Sequence, residues 1–273
     1  LSVLWILCSV AVHSEFRKDQ AGTGQGDVMK KQIMVVLLAL APAWVFAAGG
    51  GVHLDQANID PNNRESLQRG ARLFVNYCLS CHAAGLMRYE RIGKELGIDD
   101  KLVSENLMFT GGKIGELMTV ATAADDAKAW FGTVPPDLSV ISRARGVDWL
   151  YTYMRSFYRD DSKIIGVNNL VFPDVGMPHV LWELQGWQEP VIETHKQHDG
   201  TEIKTVGLEL AEPGTMTPKE YDRAIRDLVN FLDYMGEPGK HDRRELGTRV
   251  ILFLLVFLVF AYLLKREYWK DIH

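Results

Sequence analysis

The stretch Cys78-Leu79-Ser80-Cys81-His82 decides how the rest of the chain is interpreted. Its two cysteines lie three positions apart, so their thiols face the same side of a helical turn, and His82 follows the second thiol directly. This is the pattern for covalent attachment of haem, in which the thiols add to the two vinyl groups and the histidine binds the iron. The stretch therefore predicts one c-type haem held by Cys78, Cys81 and His82.

Two other kinds of site use the same cysteine spacing. A thiol redox pair belongs to a βαβ context of the thioredoxin type, and a zinc site needs two further ligands at short spacing. Here the flanking sequence is helical, and the chain holds 3 cysteines in 273 residues, the third being Cys8. These surroundings favour haem over both alternatives.

Apolar residues at helical spacing on both sides of the motif predict a mainly α fold. The predicted helices are 64–81, 147–158 and 218–235. The last begins with a capping box, because Thr217 stands at the N-cap and Glu220 three positions after it. The stretches 85–129 and 162–213 are expected to be long loops with short helices, and 202–210 to be one arm of a hairpin.

Residues 29–47 have the pattern of an export signal. Met29-Lys30-Lys31 is a positively charged start, the apolar run 33–40 follows, and Val45-Phe46-Ala47 ends in the small residue that precedes cleavage. An uncleaved N-terminal anchor is the alternative, although the apolar run is short for a bilayer core of about 30 Å. We therefore expect residues 1–28 to be a non-native upstream extension and residues 48–240 to form an exported haem domain.

Residues 241–273 carry a second membrane signal, the unbroken apolar run from Val250 to Leu264. The alternative is a buried core helix, but the run is apolar on every face and not on a single stripe. With Arg249 and Lys265 reaching the headgroups, it predicts one transmembrane helix. The export signal then places the haem domain in a bacterial periplasm, the anchor in the inner membrane and the short tail in the cytoplasm.

A low-spin electron-transfer haem needs a second axial ligand, and a methionine sulfur is the usual choice at high potential. Met177 lies in Phe172-Pro173-Asp174-Val175-Gly176-Met177-Pro178, a proline-stiffened loop that could present its sulfur to the iron. Spacing or packing arguments count against the other candidates: Met87, Met154, Met216 and Met235. From the residues alone, Met177 is either this ligand or a loop methionine that fills the core.

Further motifs lie far from the cysteines. They are Pro135-Pro136-Asp137-Leu138-Ser139 with Arg143-Ala144-Arg145, the loop 172–178, and Glu237-Pro238 with His241, Arg243 and Arg244 before the apolar run. Together with the haem motif they resemble the cytochrome c1 family, the haem subunit of the quinol:cytochrome c oxidoreductase (cytochrome bc1) complex, and its bacterial members most. The resemblance covers residue 48 to the C-terminus. It implies a cytochrome c-like haem domain with long loop insertions, one C-terminal transmembrane helix, and His82 and Met177 as axial ligands.

The resemblance also implies roles for residues around the haem. Arg143 or Arg145 is expected to pair with a haem propionate, because a guanidinium holds a carboxylate with two hydrogen bonds. The alternative is a pair of exposed loop arginines. Tyr151 is a further candidate for the same carboxylates. The carbonyl of Pro135 or Pro136 is expected to accept a hydrogen bond from the His82 ring nitrogen that does not bind iron.

A member of this family is a non-catalytic electron-transfer subunit of its reductase. It passes single electrons from a Rieske iron–sulfur protein to a soluble or membrane-tethered c-type cytochrome. Cytochrome b, the lipid bilayer and the second half of a dimeric complex are the other implied partners. The formal net charge of −5 gives no basic surface for nucleic acid. Two rival interpretations stay open, namely a membrane-tethered cytochrome outside that complex and a ligand-binding or peroxidatic haem protein.

Overall fold

The computed structural model describes residues 52–110, 112–120, 122–196 and 202–270. The expected upstream extension (1–28) and export signal (29–47) lie outside the described residues. In chain order the elements are α1 (Arg64–Leu73), a π-helical turn (Phe74–Cys78), β1 (Ala84–Arg88), α2 (Tyr89–Leu96), α3 (Asp100–Asn106), β2 (Leu117–Met118), α4 (Ala124–Phe131), α5 (Ile141–Arg145), α6 (Val147–Arg155), β3 (Phe157–Arg159), β4 (Val167–Asn169), α7 (Trp182–Gln185), β5 (Gly186–Lys196), β6 (Glu202–Pro213), α8 (Pro218–Gly236) and α9 (Lys240–Tyr268). Helices dominate, which confirms the predicted mainly α fold.

Helices α1 and α8 form the centre of the domain. Gly70 of α1 lies so close to α8 that a Cβ at this position would clash with the backbone oxygen of Asp227. Next to this approach, the rings of Phe74 and Phe231 pack with centroids 5.7 Å apart. Ser66 donates a buried hydrogen bond to the Asp227 carboxylate at 2.6 Å. This helix pair fixes the position from which the cysteine motif begins.

The predicted helix 64–81 is confirmed in its first part and changes type before the motif. Asn63 caps its start, accepting a hydrogen bond from Ser66 N at 3.0 Å. The α-helix ends at Leu73, and the chain continues as a π-helical turn whose last residue is Cys78. Turns of this type often occur at functional sites.

The other two predicted helices differ in how closely they match. Helix α8 has the predicted capping box: Thr217 N donates to Glu220 Oε2 at 2.9 Å, and Glu220 N donates to Thr217 Oγ1 at 3.4 Å. Helix α6 ends at Arg155, three residues earlier than predicted, because the following residues form β3 and pair with β4. Tertiary pairing overrides the helical pattern there.

The strands of the described residues form short antiparallel pairs, β1 with β2, β3 with β4, and β5 with β6. The longest pair is the hairpin β5–β6, and the predicted arm 202–210 lies within β6. Gly186 opens this hairpin with a φ of 93°, in the region that favours glycine. The predicted loop stretches contain the short helices α2, α3, α4 and α7, as expected.

Helix α9 carries the apolar run. Within the described residues it contains the one segment long and apolar enough to cross a membrane, Arg243–Tyr268, with 26 residues. A stretch of 18 residues within this segment has a mean hydropathy of 2.4, and none of that stretch is buried. At 1.5 Å per residue this helix covers about 39 Å, more than the roughly 30 Å of a bilayer core. An apolar helix exposed on every face is typical of a lipid-facing anchor, and it does not fit the buried core helix that was the alternative.

Candidate haem site

A cavity of about 380 Å³ opens between the cysteine motif, α6, the loop that precedes α7, and α8. Its lining is mostly apolar, and its volume lies in the range of about 300–1,000 Å³ that ligand pockets have. The cavity brings together most of the site residues predicted from the sequence: Cys78, Cys81, His82, Pro136, Arg145 and Met177. Arg143 and Tyr151 do not line it.

The two cysteines reach the cavity from the end of the π-helical turn. Cys78 O accepts hydrogen bonds from Cys81 N at 3.1 Å and from His82 N at 2.9 Å, so the motif forms a tight turn. Both cysteines are free. Burial, and then the neighbouring Cys81, raise the pKa of the Cys78 thiol to about 12. Cys78 is therefore a neutral thiol at physiological pH.

The surroundings of the two cysteines distinguish haem from the alternatives. In the part of the chain that the structure describes, no three His, Cys, Asp or Glu side chains come together as a metal site. The cysteines follow a π-helical turn at the wall of an apolar cavity, and the strands of the described residues pair antiparallel, unlike those of a thioredoxin-type βαβ unit. These surroundings fit thioether formation better than metal binding or disulfide exchange.

The imidazole of His82 is oriented by the segment 135–139. Its Nδ1 lies 2.8 Å from the carbonyl oxygen of Pro136, one of the two prolines for which the resemblance implied this contact. Because a carbonyl only accepts, Nδ1 carries the proton, and Nε2 keeps the lone pair that can bind a metal. Burial lowers the pKa of His82 in spite of this hydrogen bond, so the ring stays neutral. A neutral, oriented imidazole is the form in which histidine ligates metals.

Asp137 and Ser139 hold that segment in place, and the sequence reasoning gave them no separate role. Asp137 accepts hydrogen bonds from Gly85 N and from Ser139 N, both at 2.7 Å. Ser139 Oγ accepts from Leu86 N at 3.0 Å. Desolvation opposes ionisation of Asp137, but its hydrogen bonds with Ser139 and Gly85 outweigh it and lower the pKa. An aspartate that accepts a hydrogen bond from the backbone N–H two positions later forms a common local turn. The contact between Asp137 and Ser139 could therefore have been predicted from the sequence.

Met177 lines a second wall of the cavity, on the loop between β4 and α7. Its sulfur accepts a hydrogen bond from the hydroxyl of Tyr153 at 3.4 Å. Burial raises the pKa of Tyr153, so this hydroxyl stays protonated and can donate. Met154 also lines the cavity, from α6, whereas the three other candidate methionines do not: Met87, Met216 and Met235.

The buried side chain of Asn169 fastens the methionine loop. Its Oδ1 accepts hydrogen bonds from the backbone N–H groups of Val171 at 2.9 Å and Phe172 at 3.1 Å. Its Nδ2 donates to the carbonyl oxygen of Tyr153 at 2.8 Å. One amide therefore ties the loop to the end of α6. The sequence reasoning missed this residue, because an asparagine outside a turn or cap motif carries no signal of a long-range partner.

Arg145 is the predicted arginine that reaches the cavity. Its guanidinium lies 5.0 Å from the ring centroid of Trp149 and 5.7 Å from that of Phe172, so both aromatic rings hold the charge at the cavity wall. Arg143 extends instead toward α8, where its Cγ lies 3.4 Å from the place that a Cβ on Gly236 would occupy. Side chains two positions apart on a helix face different directions, so only one of the two arginines can line the cavity.

Tyr151, the third expected partner of the propionates, lies away from the cavity. Its ring is buried outside the cavity, with the guanidinium of Arg155 4.6 Å from the centroid. Trp149 and Tyr153 form the cavity face of α6, and their rings stack with centroids 4.9 Å apart. The cavity face of α6 thus does not include Tyr151, whose expected contact with a propionate stays a prediction. Aromatic residues at 149, 153 and 157 recur every four positions, and this spacing could have identified the face.

The groups around the cavity fit a c-type haem. They comprise a neutral imidazole, a thioether sulfur, two free thiols and one guanidinium on an otherwise apolar lining. Histidine and methionine are one of the ligand pairs that cytochromes use. A guanidinium at the rim matches a carboxylate of the ring.

Comparison with known proteins agrees with this chemistry. The model of the Cytochrome C1 family matches residues 117–272. Cytochrome c1 of Allochromatium vinosum is 51% identical over 245 residues, which cover 90% of this chain and 100% of that protein. A Nitrosomonas europaea protein named ammonia monooxygenase gamma subunit is 50% identical over 242 residues, covering 89% of this chain and 98% of that one. Cytochrome c1 of Rhodospirillum rubrum is 24% identical over 277 residues, covering 85% of this chain and 96% of that protein.

Proposed function

Because the chain belongs to the cytochrome c1 family, we propose that its haem domain receives single electrons from a Rieske iron–sulfur protein and passes them to a soluble or membrane-tethered c-type cytochrome. The family provides the electron-transfer haem subunit of the cytochrome bc1 complex. Helix α9 accordingly makes the chain a membrane-anchored subunit of that reductase. It carries electrons for the enzyme and does not transform a substrate itself.

One observation supports the proposal more than any other. A single apolar cavity is lined by the oriented imidazole of His82, the sulfur of Met177, and the thiols of Cys78 and Cys81. When bound there, a c-type haem supplies an iron that alternates between the ferrous and ferric states. The rest of the site serves to hold that group and to keep its ligands still.

Each residue has a definite task in this proposal. Cys78 and Cys81 would hold the haem through two thioethers, each S–H group adding across a vinyl double bond so that no atom leaves. Nε2 of His82 would bind the iron, while Pro136 holds the ring through Nδ1. The sulfur of Met177 would bind the iron as well. Because the protein fixes both groups, the ligands would stay in place in both oxidation states, which suits rapid electron transfer.

Arg145 is the residue that we assign to a haem propionate. Its guanidinium is already held at the cavity wall by two aromatic rings, so little side-chain freedom is lost when a carboxylate binds. Arg143 and Tyr151 have no part in this assignment.

The topology follows from the two ends of the chain. In the proposed arrangement residues 29–47 direct export and are removed, and residues 1–28 are not part of the native protein. Residues 48–240 then lie in the periplasm, and residues 241–273 anchor the domain in the inner membrane beside cytochrome b, within a dimeric complex. Protein sequencing of the mature N-terminus tests the first two points.

Purification from membranes in mild detergent tests the function. The chain is expected to copurify with b-type haem and with the electron paramagnetic resonance signal of a Rieske cluster, and quinol is expected to reduce its haem. A variant with both Cys78→Ala and Cys81→Ala serves as the control, because neither thioether can then form and the c-type attachment is lost. A c-type haem protein that purifies alone and is not reduced by quinol would contradict the assignment to the complex and leave the haem site standing.

One relative gives a second candidate function. The Nitrosomonas europaea protein carries the name of an ammonia monooxygenase subunit and aligns over nearly its whole length. A haem subunit that exchanges electrons with a monooxygenase would use the same cavity. Copurification separates the two functions, since a copper or iron monooxygenase in place of b-type haem and the Rieske cluster would favour the second one.

A further inference from the structure

The hydrogen bond between Tyr153 and Met177 is the feature of the cavity that the proposed function does not use. The Tyr153 side chain is 9% exposed, and its hydroxyl lies 3.4 Å from the Met177 sulfur. Within the described residues this sulfur is its only hydrogen-bond partner. Leaving a buried hydroxyl without its single hydrogen-bond partner costs free energy, so this contact stabilises the cavity wall.

The ring of Tyr153 has little freedom to aim elsewhere. Trp149 stacks on it with an interplanar angle of 10° and a centroid distance of 4.9 Å. Phe157 meets it edge-on at 5.1 Å. Both neighbours lie on or directly after α6, so the ring is fixed by its own segment and points its hydroxyl across to the methionine loop.

A second observation connects Tyr153 to the same loop. Its carbonyl oxygen accepts the hydrogen bond from Asn169 Nδ2 at 2.8 Å. The same asparagine holds the backbone N–H groups of Val171 and Phe172, at the start of the loop that carries Met177. Tyr153 is thus connected to the loop at two points, through the Asn169 side chain near the loop's beginning and directly through its hydroxyl at the sulfur.

A thioether sulfur has two lone pairs, so one can bind a metal while the other accepts a hydrogen bond. The bond from the hydroxyl withdraws electron density from the sulfur and weakens its donation to iron. Ferric iron depends on that donation more than ferrous iron does, and hydrogen bonds around an axial ligand are a recognised means of tuning a haem.

We propose that Tyr153 is a positioning residue that orients the Met177 sulfur through this hydrogen bond and raises the reduction potential of the haem. The inference rests on the proposed function, in which Met177 is an axial ligand. Tyr153 thereby helps to set the midpoint potential, which determines how readily the subunit gives up its electron.

The test uses Tyr153→Phe in the full-length protein purified in detergent, because this change removes the hydroxyl and keeps the ring. A redox titration is expected to give a lower midpoint potential than the unchanged protein. The near-infrared sulfur-to-iron charge-transfer band of the ferric form is expected to shift in position. Tyr89→Phe is the matched control, since it removes another buried tyrosine hydroxyl, 3.2 Å from Thr110 Oγ1, outside the cavity. Its potential and band should match those of the unchanged protein.

The outcomes separate this inference from the proposed function. An unaltered potential and band in Tyr153→Phe would overturn the inference, as would an equal change in Tyr89→Phe. Met177→Leu tests the ligand itself: if it leaves the band intact, the ligand assignment fails, and the inference fails with it. If Met177→Leu removes the band while Tyr153→Phe changes nothing, the inference alone fails.

A measurement on the unchanged protein covers the case in which Tyr153→Phe does not retain haem. In the ferrous form, nuclear magnetic resonance is expected to show a slowly exchanging tyrosine hydroxyl proton close to the methyl group of the ligand methionine. A spectrum of that methyl group with no neighbouring hydroxyl proton would overturn the inference.

Discussion

At the scale of single residues, each candidate iron ligand in the cavity is held by a second residue. The Pro136 carbonyl holds His82 at 2.8 Å, and the Tyr153 hydroxyl holds Met177 at 3.4 Å. The two supports differ in kind: one fixes the tautomer of the imidazole, and the other engages a lone pair of the sulfur. Substitutions at these positions are therefore expected to change the potential and the spectrum before they change stability.

Replacing Met177 by leucine keeps the volume and removes the sulfur. We expect the reduction potential to fall and the ferrous haem to bind carbon monoxide, because the sixth position of the iron opens. Optical spectroscopy with and without carbon monoxide measures this. Met235→Leu is the control, as Met235 is buried outside the cavity. A Met177→Leu protein that excludes carbon monoxide and keeps its potential would show that another residue is the ligand.

Arg145→Gln removes the positive charge at the cavity wall and keeps a polar side chain. A cation near the haem disfavours the ferric state, so its loss is expected to lower the midpoint potential. Arg143→Gln is the matched control, because this arginine lies two positions away and does not line the cavity. Redox titration of both variants in the same buffer decides the matter. A larger decrease in Arg143→Gln would reverse our assignment of the propionate partner.

At the scale of secondary-structure elements, the domain depends on a few fixed junctions. Helices α1 and α8 approach closely at Gly70 and bring the π-helical turn to the cavity. The methionine loop is joined to α6 by Asn169, and to β4 by Asn168, whose Oδ1 accepts from Asp174 N at 2.9 Å. The loop is thus positioned by buried amides, which provide both the donors and the acceptors that irregular backbone needs.

Asn169→Ala is expected to destabilise the domain by roughly 1–3 kcal/mol, because it removes the acceptor of two part-buried backbone N–H groups and one of the donors to the Tyr153 carbonyl oxygen. Chemical denaturation followed by far-ultraviolet circular dichroism measures the loss. Asn106→Ala is the control, since its side chain makes one exposed hydrogen bond at the end of α3. Equal effects of the two variants would contradict the role given to Asn169.

Gly70→Ala adds one methyl group where α1 meets α8. The Cβ would clash with the Asp227 backbone oxygen, so the helices must separate, at a cost of about 1–3 kcal/mol. Gly247→Ala in α9 is the comparison, because nothing lies within 4 Å of its Cβ position. Thermal unfolding is expected to show a lower midpoint for Gly70→Ala alone. An unchanged unfolding temperature would mean that α1 and α8 can move apart at Gly70 at little cost in free energy.

At the scale of the whole molecule, what could be read from the sequence depended on how local each signal was. The haem motif, the capping box of α8 and the apolar run of α9 are each contained in a few adjacent residues, and the structure has all three. The sequence did not show that Tyr151 lies outside the cavity, and α6 was predicted too long, because distant partners decide both features. The Asn169 contacts join residues up to 16 positions apart, and no local pattern announces them.

Helix α9 is apolar and exposed on every face, and it contributes no residue to the lining of the cavity. All residues that line the cavity precede α9, so we expect the anchor to fix the domain at the membrane without changing the properties of the haem. A chain ending at Arg244 should therefore form a water-soluble haem protein with the midpoint potential of the full-length form.

Expression of this shortened chain with its export signal, followed by ultracentrifugation and redox titration, measures both properties. The haem is expected in the soluble fraction, whereas the full-length chain stays with the membranes. Arg243 pairs with Glu237 just after α8, so a chain that ends at Arg244 keeps the last ion pair next to the domain. A control chain that ends at Leu264 retains the apolar run and should remain in the membrane. If the shortened chain instead loses its haem or changes its potential, the anchor contributes to the site, and the separation of roles along the chain is wrong.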